Sequence, residues 1–135
     1  MENNSIRNYF SEAKSITIIK NDEKFCYIKG DDKFEEILAS LLSVTKNSHD
    51  MPAFSVSLDK ETKQAIQKGS WIELQFDKTK YFNEMPFDAL LIQVDETYQG
   101  INIIRKNNKT YDGRCFYLNL KSNMKHISEI IKNIK

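Results

Sequence analysis

Four runs decide the fold: Trp71-Ile72-Glu73-Leu74-Gln75-Phe76, Asp88-Ala89-Leu90-Leu91-Ile92-Gln93-Val94, Ile101-Asn102-Ile103-Ile104-Arg105 and Arg114-Cys115-Phe116-Tyr117-Leu118-Asn119-Leu120. Strand side chains alternate between faces, so each run divides into two sets. One set holds Ile72, Leu74, Phe76, Leu90, Ile92, Val94, Ile101, Ile103, Phe116, Leu118 and Leu120. The other mixes Trp71, Glu73, Gln75, Ala89, Leu91, Gln93, Asn102, Ile104, Cys115, Tyr117 and Asn119. A turn at residues 95–100 pairs Val94 with Ile101 and Ile92 with Ile103. A second turn at 108–111 pairs Ile103 with Phe116 and Ile101 with Leu118. Apolar meets apolar in both, as register demands when one face is buried. The runs therefore predict an antiparallel meander over residues 71–120.

Working outward, Ser15–Lys20 and Phe25–Lys29 flank Asn21-Asp22-Glu23-Lys24 and predict a hairpin. Phe34, Ile37, Leu38, Leu41 and Leu42 make one apolar stripe over 32–47, a helix that Pro52 helps to end. Met124, Ile127, Ile130, Ile131 and Ile134 predict a last helix over 123–134. Ile6, Tyr9, Phe10 and Ala13 suggest a short first helix, residues 53–58 an edge strand, and Lys60–Lys68 a brief helix capped by Asp59 and stopped by Gly69. The fold class expected is α+β: a single antiparallel sheet, hairpin 15–29 plus meander 71–120, packed with helices. That element order resembles the profilin-like or roadblock-like plan, an analogy that carries no function.

At 135 residues the chain makes one domain. With 40% hydrophobic and 29% charged residues and a net charge of +1, it has an ordinary globular profile without the basic excess of obligate nucleic-acid binders. No apolar run is long enough for a membrane helix, and the start at Met1-Glu2-Asn3-Asn4 does not read as a signal peptide. The expected location is the cytoplasm, with Cys26 and Cys115 reduced and buried in apolar strands. The stretches Glu84-Met85-Pro86-Phe87-Asp88-Ala89-Leu90-Leu91-Ile92 and Gly113-Arg114-Cys115-Phe116-Tyr117-Leu118 resemble an uncharacterised family of small proteins from low-GC Gram-positive bacteria. The resemblance implies a bacterial cytosolic origin and no activity.

The chemistry-bearing motifs with strong spacing (a phosphate loop, a dinucleotide loop, a zinc-protease helix, a serine elbow) do not occur in the sequence, so no catalytic residue, metal ligand or cofactor is assigned. His49, beside Asp50, is a weak candidate ligand or base, and His126 a boundary residue. The second face holds the main candidates. Gln93 and Tyr117 flank Asn102, and Trp71 and Glu73 lie two strands away. A few convergent polar groups within apolar surface suit a ligand or partner. The registers also place Arg105 opposite Arg114, an expected anion contact. Lys106, Lys109 and Tyr111 make a basic tip that nucleic acid could use, the least favoured partner. Finally Tyr81, Phe82, Met85 and Phe87 are expected in an exposed interface loop, whose Glu84-Met85-Pro86-Phe87 repeats Asp50-Met51-Pro52-Ala53-Phe54. The favoured function is a non-enzymatic binding or protein-interaction domain, its partner a protein or a second copy in a homodimer, with a small polar or anionic ligand next. The alternative is a small enzyme on a polar metabolite, with Glu73 as general base and Asn102 and Tyr117 orienting the substrate.

Overall fold

The computed structural model describes residues 4–52, 55–97 and 99–134. Its centre is the meander β5 (Ser70–Phe82), β6 (Met85–Gln93), β7 (Gly100–Asn107) and β10 (Phe116–Asn119). The expected registers are present, with Ile92 opposite Ile103, Phe116 opposite Ile103 and Leu118 opposite Ile101. The hairpin β1 (Ser15–Lys20) and β2 (Glu23–Ile28) joins through β1, which lies antiparallel to β5. A three-residue strand, β3 (His49–Met51), closes the far side against β10, giving the order β2-β1-β5-β6-β7-β10-β3.

One face carries the main core. Ile16, Ile18, Ile72, Leu74, Leu90, Ile92, Ile101, Ile103 and Leu118 from the strands are buried against α1 (Asp32–Val44), α3 (Lys125–Lys132) and a 3-10 segment at Ile6–Glu12. Helix ends leave carbonyls without intrahelical partners, and here basic side chains from other elements reach them. The Arg7 guanidinium donates to the Leu42 carbonyl at 2.6 Å and to the Thr45 hydroxyl at 2.9 Å, at the end of α1. The Lys20 ammonium donates to the carbonyls of Ile131, Lys132 and Ile134 at 3.2, 3.1 and 2.7 Å, at the end of α3.

The opposite face is covered over one half by α2 (Asp59–Ala65), Ile66 and the short strand β8 (Thr110–Tyr111), over a small core of Ile19, Ile66, Trp71, Leu91 and Tyr111. The first segment does not cover this face: Ile6 and Phe10 belong to the main core. The strands β4 (Val56–Ser57) and β9 (Gly113–Arg114) form a separate ribbon beside it. The expected edge strand at 53–58 thus survives as Val56–Ser57; its residues 53 and 54 lie outside the described residues, and with them Phe54.

Three expectations change. The segment 81–87 is a tight hairpin, because Asn83 and Glu84, at φ of +50° and +65°, turn β5 directly into β6. Phe82 and Phe87 are therefore buried at 5% and 0% exposure, in edge-to-face contact with Tyr9, Phe76 and Phe116, while Tyr81 stays exposed and Met85 half-buried. Cys115 is buried but Cys26 is exposed, since β2 is the outermost strand and its second face is uncovered there. Asp59 is not the cap of α2. It is the first helical residue, and its carboxylate accepts the Tyr111 backbone N–H at 2.8 Å.

Candidate functional site

The second face divides into a sealed half and an open half. In the sealed half Glu73 projects from β5 at 5% exposure. A buried carboxylate requires donors, and the register supplies them. Asn108 and Lys109, at φ of +51° and +68°, fold β8 back so that Tyr111 lies opposite Lys106. Small Ala89, between Lys106 and Gln75 in register, leaves room for the phenol to cross towards β5. The Tyr111 hydroxyl donates to Glu73 Oε2, and the Gln75 amide donates to Oε1 at 2.9 Å. The Lys106 ammonium stands 3.7 Å from Oε1 and 4.9 Å from the centre of the Tyr111 ring. Burial, then the neighbouring Glu73 charge, pushes the Tyr111 phenol far above its usual range.

With its oxygens committed to Tyr111 and Gln75 beneath α2, Glu73 is a structural group. Trp71 is equally committed: it is 4% exposed and donates its indole N–H to the Lys68 carbonyl at 2.8 Å. The basic tip is dismantled by the same packing, because Tyr111 is 3% exposed and Lys106 lies over its ring.

The two arginines do not face each other. The chain leaves the sheet at Cys115, so Arg114 pairs with Val56 in the side ribbon. Arg105 sits opposite Leu90, and its guanidinium donates to backbone carbonyls, Pro86 at 2.8 Å and Arg114 at 2.7 Å. Gly113 makes room for this, since a Cβ there would come within 2.6 Å of the Arg105 guanidinium. Burial holds the guanidinium below its usual range. Arg105 is a strut between β6 and β9, not an anion contact.

The open half is built where α2 stops. Tyr117 lies opposite Asn102, and Gln93 follows Ile92 one step beyond its pair with Ile103. Gln93, Asn102 and Tyr117 line a hollow of about 280 Å³ together with Asp95, Gly100 and Ile101. Gly100 sets its depth: a Cβ there would fall 2.0 Å from the Tyr117 hydroxyl. On its other side Asn102 also lines a second hollow of about 280 Å³, with Val56, Leu58, Thr62, Ile104 and Cys115. Tyr117 in turn borders a third, of about 350 Å³, beside Met51, Pro52 and Arg114. Met51, Val56 and Leu58 around these hollows are 38%, 64% and 52% exposed. Of the residues singled out from sequence, Gln93, Asn102 and Tyr117 converge here, and Phe82, Met85 and Arg114 join Tyr117 around the third hollow; Trp71, Glu73, Arg105, Tyr81 and Phe87 line none of the three.

Sequence reasoning missed Tyr111 as the partner of Glu73, Val56 and Gly100 as neighbours of Asn102, and Met51 as a neighbour of Tyr117. The first had a readable signal: a two-residue turn at Asn108-Lys109 places Tyr111 opposite Lys106. Met51 comes with β3, too short to be legible, while Val56 lies in the expected edge strand but reaches the site by pairing with the distant β9. His49 is exposed on β3, and among the described residues no group of three His, Cys, Asp or Glu side chains could hold a metal ion. Among the described residues no helix is long and apolar enough to cross a membrane. No protein-family model, curated protein or solved structure matches the chain.

Proposed function

We propose that the chain is a cytoplasmic, non-enzymatic interaction domain that receives a protein partner on the open half of its second sheet face. The observation that carries this reading is Asn102, a half-buried amide between two hollows, with exposed Val56 and Leu58 lining one of them and exposed Met51 paired with its neighbour Tyr117. Apolar anchors around a few oriented polar groups give an interface both area and register. Glu73, the carboxylate expected as a general base, is buried and bonded to Tyr111 rather than open to either hollow, which favours binding over catalysis.

The test is site-specific photocross-linking in the producing cell. A benzophenone side chain at Val56 yields an adduct of defined mass, and Tyr117→Ala removes that adduct. The same probe at exposed Lys78, on the far end of β5, yields none, and Glu73→Gln leaves the Val56 adduct in place. Equal adducts from both positions, or none from Val56, overturn the reading.

A further inference from the structure

The other end of the sheet carries a different kind of surface. In a two-residue hairpin the pair closing the turn exchanges both backbone hydrogen bonds, and the pattern then alternates. Asn21 and Asp22, at φ of +49° and +73°, form such a turn between Lys20 and Glu23. Phe25 and Tyr27 therefore spend their N–H and C=O groups on Ile18 and Ile16, while Lys24, Cys26 and Ile28 turn theirs outward. Ile28 is already closed: its N–H donates to the Asp31 carboxylate at 2.9 Å and its carbonyl accepts the Asp31 N–H at 3.0 Å. That leaves Lys24 and Cys26 presenting free donors and acceptors on an outer strand where Cys26 is exposed.

Unpaired edges template further pairing unless they are guarded. The opposite edge is guarded by brevity, since β3 has three residues and is followed by Pro52. The β2 edge has six residues, without proline or bulge.

We infer that the β2 edge pairs antiparallel with β2 of a second copy of this chain, joining two sheets into one. Two-fold symmetry centred on Phe25 sets Lys24 opposite Cys26 of the second copy and Cys26 opposite its Lys24. Each such pair exchanges both hydrogen bonds, so every outward group left free on the edge is used. In this register Phe25 meets Phe25 of the second copy on the core face, where both rings extend the apolar layer. Glu23 falls diagonally next to Lys29 of the second copy, and the reverse, giving two opposite-charge contacts. A shift by one residue would set inward-bonded groups against outward ones; a shift by two spends Ile28, which Asp31 has closed, or in the other direction sets Lys24 against Lys24 and Cys26 against Asp22 of the turn. The complementarity is to this strand's own pattern, which is why the occupant is a second copy. Edge pairing alone buries less than a standard interface, so the affinity is micromolar, with a Kd of roughly 10–100 µM.

The experiment is sedimentation equilibrium of the full chain from about 10 to 500 µM, spanning that Kd, with cross-linking alongside. In this register the two Cys26 residues are diagonal neighbours about 7–8 Å apart, too far for an unstrained disulfide but within reach of a short bis-maleimide. Cys115 is buried, so a covalent dimer reports Cys26. The expected result is a reversible dimer that bis-maleimide traps in the wild type, that Cys26→Ser preserves without trapping, and that Cys26→Pro and Lys24→Pro each weaken at least tenfold. Proline at these positions removes an outward N–H and no inward ladder bond, so far-UV circular dichroism should be retained. Val56→Glu, on the open half of the second face, leaves the dimer intact. A monomer throughout, a dimer indifferent to both prolines, or a wild-type dimer that bis-maleimide fails to trap overturns the inference. The trapping arm needs no variant and decides if the proline chains do not fold.

Discussion

Tyr111 and Glu73 are each held by the other. The carboxylate keeps its place in an apolar cluster because the phenol donates to it, and the phenol stays neutral because burial and that carboxylate oppose its ionisation. Tyr111→Phe leaves a buried acceptor short of a donor, at a cost of about 1–3 kcal/mol in urea unfolding at pH 7. The pH dependence gives a sharper readout. The folded-state pKa of Tyr111 lies above its ordinary value of 10.0, so the unfolded chain loses this proton first. The stabilisation is fully present below about pH 10 and is lost as pH rises further. Wild-type stability should fall between pH 10 and 11.5 by more than that of Tyr111→Phe. Parallel pH profiles for the two proteins would show that the phenol titrates alike in both states.

At the scale of elements, the chain turns three times with the same device. Asn21-Asp22, Asn83-Glu84 and Asn108-Lys109 each place both central residues at positive φ, the requirement of the hairpin turn that matches strand twist. Asparagine and aspartate tolerate this conformation and glutamate or lysine does so less well, so Glu84→Gly should stabilise the protein by about 0.5–1 kcal/mol. The measurement is the urea midpoint, and an unchanged or lowered midpoint would mean that the Glu84 side chain contributes more than its backbone costs. This device also explains what the sequence made legible. The meander registers follow from alternation in Ile72–Phe76, Ile101–Ile103 and Phe116–Leu120, into which the continuous apolar run at residues 89–92 fits. Residues 81–87 read as a loop because Asp77, Lys78, Thr79 and Lys80 before them break the alternation, where the β5–β6 register shifts between Gln75 and Lys80, and because Asn-Glu lacks the glycine that usually marks such a turn. The expected Arg105–Arg114 pairing fails for a different reason: the backbone departs from the sheet at Cys115 and Arg114 pairs with Val56, a contact between distant segments that no local pattern encodes.

Across the whole molecule the two faces are unequally covered. The main core joins both terminal segments, α1 and most of the sheet, whereas Ile19, Ile66, Trp71, Leu91 and Tyr111 are held together by a seven-residue helix and a two-residue strand. Periodicity revealed the main core because its stripes repeat over long elements; it could not reveal which half of the second face would be covered, since α2 carries no continuous apolar stripe and docks through Ile66 beyond its end. An element with so few buried contacts should open before the sheet does. Trp71 is the single tryptophan and lies beneath that element, so its fluorescence reports the opening. Ile66→Ala removes a buried side chain at a cost of about 2–4 kcal/mol, and the loss should fall on the α2 lid more than on the main core. The Trp71 emission of Ile66→Ala should therefore shift to the red at lower urea than its far-UV ellipticity is lost, while in the wild type the two midpoints lie closer together. Coincident midpoints in Ile66→Ala would instead make the lid and the sheet one cooperative unit, and the open half of the second face would then be as rigid as the core on which it stands.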